Sequence, residues 1–158
     1  MGVGSAPPGV VLAVSVPGDV RRGYWGEVLT VAAVSAGVTG LVIDATVRDI
    51  EAIERREFPV FARGTAIPGA GKQGPGSVGK PVVIGDAVVR PDDWLVGDAD
   101  GVVVVRARDL EACLEAAAQR TEKESTMFHK LQAGSTTIEL LGLSTASIEV
   151  VHPPHGPQ

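Results

Sequence analysis

Apolar residues along the chain fall into short β-branched runs and two helical stretches, divided by glycine and proline. Gly9–Val16 is stopped by Pro17-Gly18-Asp19 and predicts a strand and a turn, its apolar density pointing to burial on both faces. From Glu27 to Ala36 the residues are small or apolar and end at Gly37, a natural helix C-cap, after which Leu41-Val42-Ile43 predicts a second buried strand. Asp44 to Arg48 then reads as a short loop, because Asp49 is a good N-cap and Ile50 and Ile53 lie three apart on a following short helix.

Pro59-Val60-Phe61-Ala62 predicts another strand, and Gly64–Gly79 a long loop rich in glycine and proline, of a length that is usually functional or mobile. Val82-Val83-Ile84, Ala87-Val88-Val89 and Trp94-Leu95-Val96 predict short strands, and Asp98-Ala99-Asp100-Gly101 a turn before the apolar run Val102–Val105. A long helix is predicted from about Asp109, its N-cap, to Leu131, closing near Gly134, with a last helical turn around Thr137–Leu141. On that helix Leu110, Leu114, Ala117, Thr121, Phe128 and Leu131 share one face with Cys113, which reads as a packed core thiol. Glu124 falls inside the same stripe, where either the stripe has left the core or an interface or metal site wants a carboxylate. The proline-rich end of the chain predicts a flexible tail over 144–158.

Composition sharpens this into a soluble α/β protein. A chain of 158 residues with 44% hydrophobic and 21% charged residues is the size and type of one globular domain, expected over 1–143. A net charge of -5, with no basic run beyond Arg21-Arg22 and Arg55-Arg56, argues against direct nucleic-acid binding. The single Cys113 forms no internal disulfide and the N-terminus has no signal-peptide pattern, so the expected location is cytoplasmic. Val28–Ile43, an uncharged and largely apolar stretch, is interrupted by Gly37 and Gly40 and falls short of the roughly 18 to 20 residues that span a bilayer, so no membrane association is expected.

Gly69-Ala70-Gly71-Lys72-Gln73-Gly74 is a literal GxGxxG, but Pro75 and Gly76 follow instead of a helix, and an ordinary loop explains it. His129, His152 and His155 lack zinc-ligand spacing, and Ser35, Ser77 and Ser125 lack a nucleophile-elbow context. Asp44 and Asp49, with Arg48 beside them, flank the end of a buried strand, where open α/β sheets tend to place ligands. An N-cap with a surface salt bridge would account for Arg48-Asp49 equally. Gly23-Tyr24-Trp25-Gly26-Glu27 forms a second candidate loop, its glycines allowing close backbone approach and the next helix start offering N–H groups to an anion. Together the two loops could hold a carboxylate substrate and a hard cation.

These segments, with Val42-Ile43-Asp44, Val47-Arg48-Asp49, Pro59–Gly64, Gly97–Val105, Arg120–Glu124 and the ending Ala133–Leu143, resemble the RraA-like family in order from about Pro8 to Leu143. Its enzymatic members are 4-hydroxy-4-methyl-2-oxoglutarate aldolases. The resemblance implies a swivelling β/β/α-type α/β fold, lacking part of the family's N-terminal segment, assembled as a homotrimer or homohexamer with sites between subunits. It implies Asp49 as anchor of a divalent cation, magnesium or manganese, with Glu124 brought toward it from the adjacent chain. Arg48 is implied as substrate contact and catalytic cation, Gly23, Tyr24, Trp25 and Gly26 as substrate-binding backbone, and Glu27 as an acid near the reacting groups.

A small 2-oxo acid can chelate such a cation through its carboxylate and keto oxygens, and aldol cleavage leaves a pyruvate enolate that the metal stabilises. Oxaloacetate decarboxylation passes through the same enolate. The family also contains a non-enzymatic regulator that binds and inhibits an endoribonuclease, and an inactive truncated homologue is a further alternative. Two local departures stand out: Ala45-Thr46 where the family usually has a glycine after the aspartate, and Pro91-Asp92-Asp93 where it has Pro-Gly-Asp.

Overall fold

A computed structural model describes residues 3–71, 75–144 and 146. Their contacts form two compact units that divide between Leu110 and Glu111.

The first unit is built on a parallel sheet of β1 (Val11–Val14), β2 (Gly40–Val47) and β3 (Val60–Thr65), with β2 in the middle. The connections carry α1 (Glu27–Ser35) and the short α2 (Ile50–Glu54). The central strand is longer than Leu41-Val42-Ile43, and the loop expected from Asp44 to Arg48 is strand as far as Val47. Hydrophobic periodicity hides this extension because a bulge between Ile43 and Thr46 interrupts the register with β3. The polar residues Asp44 and Thr46 also break the apolar run. Leu41, Ile43, Ala45 and Val47 all enter the core formed with Trp25, Ala33, Ile53 and Phe58. β1, expected to be buried on both faces, is an edge strand with Val11 exposed and its other residues half-buried. Gly37 lies at φ 77 just beyond α1, as a helix C-terminal glycine should.

Two antiparallel hairpins follow, β4 (Val82–Ile84) with β5 (Ala87–Val89) and β6 (Trp94–Asp98) with β7 (Gly101–Val105), so the expected strands and turn are all present. Leu95, Gly97 and Val102 line a small apolar cavity with Val42 and Phe61, which places β6 and β7 against the sheet. A Cβ on Gly97 would overlap the Phe61 ring, so that close contact favours glycine. Arg106 ties the hairpins together, donating to the Val88 carbonyl at 2.8 Å and to the Asp93 carboxylate. Asp44 takes Arg63 Nε at 2.5 Å from β3 and the Gly85 N–H at 3.3 Å from the β4–β5 turn.

α3 (Leu110–Gln132) follows a 3-10 turn at Ala107–Asp109 and, from Glu111 onward, forms the second unit with α4 (Thr137–Leu141). Gly134 closes α3 at φ 99, and a capping box between Thr136 and Glu139 starts α4. The core placement expected for the α3 stripe does not hold: no residue of α3 is buried, Leu114 and Phe128 are 61% and 57% exposed, and the Cys113 thiol is exposed too. A helical period identifies an apolar face but not what covers it. No helix among the described residues is long and apolar enough to cross a membrane. Lys72, Gln73 and Gly74 of the GxGxxG loop, His152, His155 and most of the expected tail lie outside the described residues.

The Asp44 link gives a pH dependence. The Arg63 hydrogen bond, aided by the Gly85 N–H and opposed by burial, holds the Asp44 carboxyl below its ordinary range. A carboxyl lowered in the folded state stabilises the fold above its unfolded value near ~3.9, and that contribution disappears as pH falls through the folded value. Acid titration followed by circular dichroism is expected to show wild type losing more stability than Asp44→Asn between about pH 5 and pH 2; parallel curves would exclude this role for the pair.

Candidate active site

The end of β2 is held between two neighbouring segments. On one side the Tyr24 N–H donates to the Thr46 carbonyl at 3.0 Å and the Arg48 N–H to the Trp25 carbonyl at 2.8 Å. On the other the Ala66 N–H donates to the Val47 carbonyl at 2.9 Å. The Thr46 hydroxyl lies 2.9 Å from both the Val20 and Arg22 carbonyls, fixing the segment that leads into the glycine loop. Thr46, the second residue of the Ala45-Thr46 pair, is therefore a structural tie. Gly23 is fixed in turn by its N–H to the Pro68 carbonyl at 2.9 Å.

Arg48 and Asp49 emerge where these segments meet. Asp49 occupies the N-cap position of α2 as expected, but it is left-handed, at φ 61 and ψ 39, and its side chain makes no cap hydrogen bond to that helix. A carboxylate at this backbone angle points away from the helix it precedes, and Asp49 Oδ2 accepts the Glu27 N–H at 3.0 Å, at the start of α1. It thereby satisfies one of the free N–H groups at the start of α1, whose N-cap, Gly26, makes no side-chain cap. Arg48 Nε stands 3.8 Å from the same oxygen, and both side chains are about half exposed. Close neighbours account for the glycines: a Cβ on Gly26 would lie 2.5 Å from Asp49 Oδ2, and one on Gly23 would lie 2.7 Å from the Ala66 carbonyl and 3.0 Å from Arg48 Cδ.

Gly23, Gly26, Glu27, Arg48 and Asp49 are thus brought together by direct contacts. Tyr24 joins through its backbone, while its hydroxyl donates to the Asp19 carbonyl at 3.1 Å. Trp25 is buried, its indole N–H on Thr30 Oγ1 at 2.8 Å and its ring stacked on Phe58, so its side chain serves the core. Glu27 carries an ion pair with Arg56 at 2.7 Å, a neighbour that sequence reading registered only as part of a basic doublet. Glu124 belongs to the second unit, on α3, where Arg120 Nε donates to it at 2.7 Å one turn away. Because α3 has no buried face, a carboxylate in that stripe meets no desolvation, and its position is not anomalous.

Residues 2–104 match the family profile described as RraA-like: Aldolase/RraA. The chain belongs to the RraA-like family. A Halalkalibacterium halodurans protein named "Putative 4-hydroxy-4-methyl-2-oxoglutarate aldolase" is 37% identical over 115 residues, covering 73% of this chain and 55% of that protein. Among solved structures, an uncharacterized protein from Pseudomonas syringae pv. tomato superposes with a TM-score of 0.79 at 28% identity, covering 88% of this chain and 66% of that one. Streptomyces coelicolor RraAS2, described as an unusual member of the RNase ES inhibitor RraA protein family, gives 0.71 at 27% identity, covering 79% and 64%. The chain thus spans a little over half the length of that Halalkalibacterium halodurans protein.

The remaining RraA-like departure has a local explanation. Asp92 takes φ 69 in the turn where the family usually has glycine, and Asp93 accepts the Arg90 N–H at 2.8 Å, closing the turn. The RraA-like glycine loop tolerates no such exchange. Gly26→Ala is expected to displace the Asp49 carboxylate and cost about 1–3 kcal/mol through overpacking; chemical denaturation checks the cost, and an unchanged midpoint would rule out the close contact.

Proposed function

We propose that this RraA-like chain is a divalent-metal-dependent class II aldolase that cleaves 4-hydroxy-4-methyl-2-oxoglutarate, or a related 4-hydroxy-2-oxo acid, to pyruvate, with oxaloacetate decarboxylation as a second activity. The observation that supports it is the fixed pairing of Arg48 with the half-exposed Asp49 carboxylate over a glycine-lined loop. The aldolase names carried by relatives point the same way. Asp49 suits magnesium or manganese: it is a hard oxygen donor, and such ions bind through one or two carboxylates while keeping several waters. Among the described residues no group of three or more His, Cys, Asp or Glu gathers, so substrate and water oxygens would complete the coordination.

When bound, the cation supplies the positive charge that stabilises a pyruvate enolate. The chain's own residues do the rest. Glu27 N–H and Arg48 orient the Asp49 carboxylate, and Arg48 offers a fixed donor to the oxygen on which negative charge develops. The next N–H groups of α1, those of Val28 and Leu29, which have no intrahelical acceptor, suit the substrate carboxylate. Breaking the C3–C4 bond sends its electron pair into the enolate while the C4 hydroxyl loses its proton, through water near Glu27, and becomes the keto group of pyruvate; the enolate then takes up a proton. Glu124 from a neighbouring subunit of a trimer or hexamer would complete the site.

Pyruvate release from 4-hydroxy-4-methyl-2-oxoglutarate with and without Mg²⁺ tests this function. Arg48→Ala is expected to lower kcat by about 10² to 10³ with an unchanged circular dichroism spectrum. Asp49→Asn keeps a residue that tolerates the left-handed backbone, so it is expected to fold and lose the metal response. No Mg²⁺-dependent release from folded wild type would overturn the aldolase function. Likeness to RraAS2 supports the second reading, an endoribonuclease inhibitor, and inhibition of ribonuclease activity without pyruvate release would establish it instead.

A further inference from the structure

Glu27 grips α2 at both ends. Its backbone N–H holds Asp49, immediately before the helix, and its carboxylate holds Arg56, just beyond it. α2 has only five residues and lies between two left-handed non-glycine positions, Asp49 at φ 61 and Glu57 at φ 51. A helix this short has little stability of its own, so its orientation depends on outside contacts. Ala52 and Ile53 bury its inner face, while the Glu27–Arg56 pair is the side-chain tie from its tail to the start of α1.

We propose that Arg56 is a positioning residue for the Asp49 carboxylate: by fixing Glu27, it holds the start of α1 against α2 and keeps the Glu27 N–H aimed at Asp49 Oδ2. The inference rests on Asp49 as the metal ligand. Arg56 and Glu27 are 41% and 43% exposed, and pairs this exposed contribute little to folding. The effect of losing the pair therefore falls on the site and leaves the melting temperature near wild type. A partner that orients a metal-binding carboxylate typically changes affinity by about 10- to 100-fold, and half exposure places this pair at the lower end.

Mn²⁺ titration of the full chain, followed by electron paramagnetic resonance, tests the assignment. Arg56→Gln is expected to weaken Mn²⁺ binding about tenfold. Arg56→Lys is expected to restore it, because a single Nη2–Oε1 contact, rather than a two-pronged one, joins the pair. In a Glu27→Gln background, Arg56→Gln is expected to add no further loss, since it acts through Glu27. Wild-type affinity in Arg56→Gln, or an equal loss in both backgrounds, overturns the positioning role while leaving Asp49 as ligand. Wild type that binds no Mn²⁺ overturns the ligand assignment itself, and this inference with it.

Discussion

The carboxylate of Asp49 caps a helix other than the one it precedes. Its left-handed backbone costs on the order of 1–2 kcal/mol for a residue with a side chain, less for aspartate, and the charged cap it gives α1 is worth about 1 kcal/mol. The two nearly offset, so the arrangement persists at little net cost to the fold. Its price in sequence is the glycine at position 26, because the carboxylate occupies the space that a Cβ there would need; Gly23 is required mainly by the Ala66 carbonyl, with the Arg48 stem beside it.

That arrangement depends on β2 continuing to Val47. The odd-numbered side chains of β2 enter the core with α1 and α2, while Val42 shares the opposite cavity with Phe61 and the β6–β7 hairpin. Apolar burial on both faces makes β2 a rigid support, and the bulge between Ile43 and Thr46 lets polar residues enter it. Asp44 uses that opportunity to join β3 and the β4–β5 turn; Thr46 uses it to pin the segment ahead of the glycine loop. Two polar residues inside a strand are thus the fastenings of the layers around it.

Family membership and site geometry bear on different questions. The matched profile ends at residue 104, within the first unit, and that unit contains every member of the Arg48-Asp49 cluster. The relatives include proteins named as aldolases and proteins named as ribonuclease inhibitors, so the fold is shared by both functions. Chemistry has to be argued from the half-exposed Arg48 and Asp49 side chains.

Much of the architecture was legible in sequence because strand runs, turn glycines and helix caps are local signals. The helix closing at Gly37, the hairpins from Val82 to Val105 and the capped turn at Thr137 all follow from residues a few positions apart. The Arg48-Asp49 pair was also visible, as a motif. Three features were not: the strand through Asp44 and Thr46, the exposed stripe of α3 with Cys113, and the Glu27–Arg56 pair. Each depends on contacts between residues distant in sequence or on what covers a face, and neither periodicity nor charge spacing contains that information. The sequence by itself determined which elements form and that an arginine and an aspartate stand together after β2. Only the tertiary structure decided that the Asp49 carboxylate serves α1 while its backbone caps α2, because a left-handed backbone angle turns that carboxylate across 22 residues of chain toward Glu27.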